Sequence, residues 1–463
     1  MAFTISARVT KQSFLKHFLC IGGSGSGKTT LQMQMFYDMI RTSNSSDFPE
    51  SLIMLEPHGD ASLRAGLIRI IPRDRLVFMS NAINRLAQNS TGENYTFTFN
   101  PFEHDGSEEM KYHLTHELTN AFTELLESSM HTTQMGLSVQ MATMLSHAIA
   151  VVMESEEPSI LTLLRMFTPD NEDLLTLGQT FKHPLVQQFF QYHFMSDSYK
   201  QTRSSIYTKL SYFVSDAQVY QILGTKHSTL KLDEFIDAGK VIIIHTPQGI
   251  STNVQSFIGR LILARAFSCV LKREAIPVSK RRNVFVFVDE FQQYTTKSIS
   301  HILQSARKYN MGLCLFTQSL KQISDTKLIS SIQTNTNWKA VGVIDVANRE
   351  AMAKEIGCTA ERIANLVPLQ FLIKQAGNND FFQFTTLPLD DDLFYTEAEA
   401  LQLYRYLMKD SGQYIPIKPF TASPPPPAPP RSERAIKETR TGEKRVKKQN
   451  DDDPFSEGIK PAF

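Results

Sequence analysis

Gly22 to Thr30 read GGSGSGKTT, which matches the spacing GxxxxGK[ST] over residues 22–29. Phe14 to Gly22, FLKHFLCIG, ends in a short apolar run just before it, and LQMQMFYDMI follows at helical spacing. The order is strand, glycine loop, helix, the context in which such a loop holds phosphate. Glycines let consecutive backbone N–H groups curl around an anion, and the helix N-terminus faces the same charge. Gly22, Gly23, Ser24, Gly25, Ser26, Gly27 and Thr30 are therefore the expected cradle. Lys28 is placed to reach the β- and γ-phosphates, and the Thr29 hydroxyl to ligate Mg²⁺. ATP and Mg²⁺ are the expected ligands.

A second acidic element lies far downstream. Val284 to Glu290 read VFVFVDE, a hydrophobic strand ending in two carboxylates. In open α/β sheets ligands bind outside the carboxyl ends of the strands. Asp289 is then expected in the Mg²⁺ shell, and Glu290 to orient or deprotonate the attacking water. The second acid favours hydrolysis over phosphoryl transfer to another acceptor. Gln318 follows the next apolar run, in LCLFTQS, where an amide can sense the γ-phosphate or simply cap a turn. Arg307, in SARKYNMG, is a candidate for stabilising charge on the transferring phosphoryl group of a neighbouring subunit. Lys308 and Arg260 compete for that role. His58 and Asp60, in PHGD after the apolar SLIMLE, either touch nucleotide or shape a turn. No convergent His/Cys set suggests zinc, and no GxSxG elbow is present.

Around these elements the chain divides into four parts. Residues 1–107 alternate strand and helix signals. From 108 to 228 helical periodicity dominates, notably over Met110–Leu126 and Leu137–Met153, with Pro158, Pro169 and Pro184 as punctuation. Strands return at KVIIIH (240–245), VFVFV (284–288) and MGLCLF (311–316), with a long helix at about 253–273, and further candidates are Trp338–Val343 and Gln370–Lys374. Such buried runs alternating with helices indicate an α/β fold with a mainly parallel sheet covered on both faces, made from 1–107 and 229–418. Residues 419–463 begin with TASPPPPAPP and continue charged, too poor in apolar surface to fold alone. This tail is expected to be a disordered tether or a partner-binding segment.

The 463 residues are 41% apolar and 21% charged, enough for a sizeable core. Lys plus Arg number 48 and Asp plus Glu 47, so no global basic signal marks a protein that simply coats nucleic acid. Four cysteines at 20, 269, 314 and 358 form no CxxC pair and read as reduced thiols of a cytosolic protein. No uninterrupted apolar run approaches the ~18 residues of a membrane span. The expected location is cytoplasmic, peripheral at the inner face of the membrane at most.

Taken together, these segments resemble the RecA-like ATPases of the HerA/FtsK superfamily, and within them the VirD4, TraG and TraD group of type IV secretion coupling proteins. KHFLCIGGSGSGKTT resembles their strand and phosphate loop. LEPHGD resembles their DPHGD segment, with Glu56 where aspartate is usual. TFTFNPF, VFVFVDEF and SARKYNMGLCLFTQS resemble three further segments. The last of these carries an arginine finger and a sensor glutamine in the family, which strengthens the reading of Arg307 and Gln318. The resemblance implies an RecA-like core with an all-α domain over 108–228 and a homo-oligomeric ring, a hexamer by expectation. It further implies an ATP-driven DNA translocase serving a conjugative channel, with DNA, membrane-channel and relaxosome proteins as partners. The coupling proteins usually begin with transmembrane helices, which this sequence does not show. The rival expectations are an ATPase for protein export or pilus assembly, a genome-packaging ATPase, and an adaptor switched by ATP without hydrolysis.

Overall fold

The structure is a computed structural model, and it describes residues 11–56, 60–128, 135–245, 252–295, 297–323 and 325–417. The tail from 419, His58 and the segment following Pro247 lie outside the described residues, as does the side chain of Asp60.

Eleven strands occur among the described residues: β1 Phe18–Ile21, β2 Ser51–Glu56, β3 Leu76–Ser80, β4 Tyr95–Thr96, β5 Val241–His245, β6 Val284–Val288, β7 Met311–Thr317, β8 Trp338–Val341, β9 Gln370–Gln375, β10 Phe381–Thr385 and β11 Ile415–Pro416. Nine of them form one sheet in the order β10-β9-β8-β1-β7-β6-β2-β5-β3, while β4 and β11 pair apart from it. The seven strands from β8 to β3 run parallel. In β1, β2, β5, β6 and β7 every residue is buried, as expected of strands covered on both faces. β9 and β10 then turn antiparallel and close one edge. The sheet is thus mainly parallel, as the sequence suggested, with an antiparallel margin that it did not. The margin shows in β10, where the consecutive residues Phe382 and Gln383, on opposite faces, are both exposed.

Between β4 and β5 every described element is helical. The helices are Glu108–Ser128, Met135–Met153, Ile160–Met166, Glu172–Gln179, Pro184–Tyr192, Asp197–Val214, Ala217–Leu223 and Leu232–Asp237. The packing explains the abundance of phenylalanine. Phe122 and Phe213 both meet Phe257 edge-on, with centroids 5.0 and 4.8 Å apart. This joins the helical stretch to the long helix Thr252–Leu271. Phe190 stacks on Phe194 at 4.7 Å, and a side chain at Gly178 would sit 2.4 Å from the Phe190 ring. The apolar window from Val254 has the length and composition of a membrane span, yet 78% of it is buried inside the protein, where it serves as a core helix.

The aromatic run Phe97–Phe102 does not extend the sheet. Asn100 replaces ladder bonds with side-chain bonds. Its amide donates to Pro158 O and Lys226 O at 2.8 and 2.9 Å, and its Oδ1 accepts from Phe102 N at 3.0 Å. The segment is a tie between the sheet and the helical stretch.

Candidate nucleotide site

Three neighbouring strand ends build the site. β6, β7 and β1 are adjacent although far apart in sequence. Ile21 lies level with Thr317 and Val288 with Leu315, so the residues after β1, β6 and β7 emerge at one edge.

The loop after β1 is pinned on several sides. Gly22 N donates to Thr317 O at 3.1 Å, Gly23 N to Val343 O at 2.7 Å, and Leu369 N to Ser26 O at 2.9 Å. Gly27 takes φ 94°, in the left-handed region, and a Cβ there would lie 2.7 Å from Leu369 Cδ2 and 3.0 Å from its Cα. A Cβ on Gly22 would lie 2.5 Å from Ser26 Oγ. No side chain caps the helix Lys28–Ser43, so its first-turn N–H groups remain available to an anion. Ser26 is 1% exposed and its Oγ makes no hydrogen bond. A buried hydroxyl left without a partner is costly and rare. A phosphate oxygen would satisfy it, so the loop fits the ligand that its sequence suggests.

Lys28 Nζ lies 3.8 Å from Glu290 Oε1, with both side chains buried. Glu290 adopts φ 43°, a left-handed conformation that a non-glycine residue adopts rarely and that turns its carboxylate back toward the loop. Two amides then hold that carboxylate. Gln318 Nε2 donates to Oε1 at 2.8 Å, and Gln292 Nε2 to Oε2 at 2.5 Å. Gln292 Oε1 in turn accepts from Thr317 Oγ1 at 2.7 Å. The general-base candidate is therefore fixed from two sides to the end of β7.

Asp289 is 4% exposed and accepts Glu290 N–H at 2.9 Å. Burial pushes its carboxyl up to about 6. The Lys28 charge opposes that rise, and the carboxylates of Glu56 and Glu290 add to it. Three acidic groups around one lysine leave room for more positive charge. Among the described residues no group of three or more His, Cys, Asp or Glu gathers to bind a metal alone. This suits Mg²⁺, which usually takes one or two carboxylates together with substrate phosphates. Thr29, exposed at the helix start, and Asp289 are the protein groups placed to share it.

Glu56 closes the far side. Its Oε2 accepts Ser62 N–H at 2.8 Å, and Ser62 Oγ bonds His245 Nδ1 at 3.0 Å. Burial raises the Cys20 thiol far above its ordinary value, leaving it inert beside the site.

Comparisons with known proteins agree with this architecture. Residues 283–365 match the family described as the TraM recognition site of TraD and TraG. No curated protein matches the chain. Among solved structures, the trigonal form of the bacterial conjugative coupling protein TrwBdeltaN70 in complex with sulphate has TM-score 0.61 at 14% identity, covering 85% of this chain and 92% of that one. The plasmid coupling protein TrwB in complex with ADP and Mg²⁺ has TM-score 0.58 at 13% identity, covering 85% and 92%. The chain has the coupling-protein fold. VirB4 of Thermoanaerobacter pseudethanolicus also matches, with TM-score 0.52 at 12% identity, covering 82% and 91%.

On this coupling-protein fold the residues expected from sequence separate into two groups. Lys28, Thr29, Asp289, Glu290 and Gln318 converge at one edge of the sheet. Arg307 does not join them. It lies exposed in the short 3₁₀ turn Ala306–Tyr309 that precedes β7, at the opposite edge, where its charge reaches His17. Lys308 is exposed beside it. Arg260 is committed within its own chain, to Glu124 at 3.5 Å and to Gln293 O at 3.3 Å. Sequence reading missed Gln292, Thr317, Ser62 and Leu369. Of these only Gln292 carried a signal, a second amide two residues after the acidic pair.

Proposed function

We propose that this chain is an ATP-hydrolysing motor of the coupling-protein type that moves DNA through a conjugative or type IV secretion channel. The observation that carries the reading is the Glu290 carboxylate, clamped by Gln318 and Gln292 and 3.8 Å from the phosphate-loop lysine. A nucleotide switch without hydrolysis has no need of a base held so firmly.

In this reading Ser26 Oγ, the loop N–H groups and Lys28 hold the β- and γ-phosphates, and Thr29 with Asp289 holds Mg²⁺. Bound Mg²⁺ neutralises charge on the phosphate oxygens. Glu290 orients the attacking water and takes its proton. Gln318 and Gln292 keep the carboxylate aimed, so little reorganisation accompanies the reaction. Without nucleotide, Lys28 and Glu290 pair with each other; an arriving triphosphate competes for the ammonium and leaves the carboxylate for water. Arg307 completes the site of the next subunit in a ring, a hexamer by family resemblance. Residues 1–107 and 229–418 form the motor and 108–228 a helical domain for substrate. DNA is gripped by its backbone, which needs charge rather than a base code.

The test is steady-state ATP hydrolysis with and without single- and double-stranded DNA, beside Glu290→Gln. The expected result is DNA-stimulated hydrolysis that falls ~10²-fold or more in the variant, as for loss of a general base, while ATP binding persists. Hydrolysis indifferent to both DNAs would refute the DNA motor and favour an ATPase that moves protein with the same residues.

A further inference from the structure

Arg307 is exposed, yet the backbone that carries it is fixed from two directions. On one side Arg281 donates to Ile276 O at 2.7 Å and also to Lys308 O, and its guanidinium carbon lies 5.7 Å from the Tyr309 ring centre. Asn310, at φ 60°, donates its side-chain amide to Val278 O and Arg281 O at 3.2 and 3.1 Å. The loop before β6 thus ties down the end of the turn Ala306–Tyr309.

On the other side stands His17, the residue before β1, which is 1% exposed. Leu313 N donates to its Nδ1 at 3.0 Å. A ring nitrogen that accepts carries no proton, so in the neutral imidazole the proton sits on Nε2. Nε2 then donates to Leu303 O at 2.9 Å. Leu303 belongs to the helix Lys297–Ser305, which leads into Arg307, and Leu313 to β7, which follows it. One buried ring therefore holds both ends of the segment that presents the arginine. Burial lowers the imidazole to about 4 against the lift of the Leu303 bond, and the Arg307 charge adds to the lowering. At neutral pH the ring is uncharged and does not repel the guanidinium. The backbone fixes it further. His17 takes φ 66°, a left-handed conformation uncommon outside glycine and often found where function requires it. Its carbonyl accepts from Asn337 N at 3.1 Å and Trp338 N at 3.3 Å. The preceding turn Lys11–Lys16 crosses β7 so closely that a Cβ on Gly312 would lie 2.4 Å from Phe14 O.

We propose that His17 is the positioning residue for Arg307, which rests on the reading of Arg307 as the group that completes the neighbouring subunit's site. His17 lies at the edge of the sheet opposite the phosphate loop, with β1 between them. Its effect on hydrolysis therefore runs through the subunit that receives the arginine rather than through the one that contains the histidine. A guanidinium on a loose turn would lose the fixed geometry that transition-state stabilisation needs, whereas a turn anchored at both ends presents it ready.

The experiment measures kcat and KM for ATP, with DNA present, on the full chain carrying His17→Asn, His17→Gln or Arg307→Ala, alone and in mixtures. Asparagine tolerates the left-handed backbone and keeps an acceptor near the place of Nδ1, but is too short to reach Leu303 O. Glutamine sets its amide near the place of Nε2 and keeps that bond. The expected result is a kcat about tenfold lower in His17→Asn, with His17→Gln closer to the parent and KM unchanged in both. In an Arg307→Ala background His17→Asn lowers kcat no further, as for two residues that act as one unit. Mixing His17→Asn with Glu290→Gln subunits raises hydrolysis above either variant alone, because some intact Arg307 turns then face an intact Glu290. Mixing His17→Asn with Arg307→Ala gives no more than the average of the two, since both defects lie on the edge that donates the arginine. The reverse pattern, rescue by Arg307→Ala and none by Glu290→Gln, would show that His17 serves its own phosphate loop and would overturn the proposal. So would a kcat like the parent's in His17→Asn, or a loss in both His17 variants that tracks lost ATP binding. If Arg307→Ala itself hydrolyses ATP like the parent, the reading of Arg307 fails and the role of His17 fails with it.

Discussion

Asp289 is a group that the folded protein holds at a cost, and replacing it by asparagine should reveal the cost as a pH-dependent gain in stability. Its carboxyl is 4% exposed and rises from an ordinary 3.8 to about 6, chiefly through burial. A raised folded-state value means that the folded chain binds more protons than the unfolded one between those limits. Stability is therefore full below pH ~4, is lost as pH rises toward 6, and stays lost above it. At ~1.4 kcal/mol per pH unit the whole penalty is ~3 kcal/mol, of which ~2 kcal/mol falls between pH 4.5 and 7.5. Asparagine has no such penalty, and its neutrality also removes a carboxylate neighbour from Glu56 and Glu290. Asp289→Asn should accordingly gain on the parent by ~2 kcal/mol as pH rises from 4.5 to 7.5, while hydrolysing no ATP. Any pH-independent packing effect cancels in that difference. Urea denaturation without nucleotide or Mg²⁺ gives the measurement, read by the fluorescence of Trp338. It is the sole tryptophan, buried in β8. A stability gap that stays flat with pH, or narrows as pH rises, would refute a buried, ionised Asp289 as the origin.

Two further outcomes follow from the same geometry. Gln292→Ala removes one of the two amides on Glu290 and its link to Thr317, so kcat for ATP should fall ~10- to 100-fold, the scale of a misplaced catalytic group, with KM for ATP unchanged; a rise in KM alone would place Gln292 outside the clamp. Arg307→Ala alone should lower kcat by ~10³-fold or more if it serves as a trans finger, and mixing it with Glu290→Gln subunits should restore hydrolysis above either variant alone, since some interfaces then pair an intact Arg307 with an intact Glu290.

Local chemistry was legible in the sequence because its signals are contiguous. A glycine loop between strand and helix, and a strand ending in Asp289 and Glu290, each announce themselves within ten residues. The helical periodicity of Met110–Leu126 and Leu137–Met153 likewise needs no partner to be read, and both segments fall in helices. What stayed hidden depends on pairing across long separations. That β6, β7 and β1 lie side by side decides which polar residues meet, and no local pattern encodes it. Gln292 stands two residues after the acidic pair, but its link to Thr317 forms only when β7 lies beside β6. Leu369, in the left-handed region at φ 71°, stacks its backbone against Gly27 from more than 300 residues away.

The placement of Arg307 carries a consequence for assembly. β7 spans Met311 to Thr317, and six steps of about 3.3 Å separate its ends by about 20 Å. Gln318 and Glu290 lie at one end and Arg307 beyond the other. No rotamer bridges that gap, and the rigid sheet offers no hinge that would shorten it. Arg307 therefore cannot reach the phosphates held by its own chain. Its exposure is what a residue shared between subunits requires, since a guanidinium committed within its own chain, as Arg260 is, has nothing left to offer a neighbour. A ring in which the β7 entry edge of one subunit faces the strand-end crevice of the next would use both edges of the same sheet. It would also make hydrolysis depend on contact between subunits, because the transition-state charge would be met only where two chains touch. On that argument the isolated chain would bind nucleotide with the residues on one edge and would wait on assembly for the residue on the other.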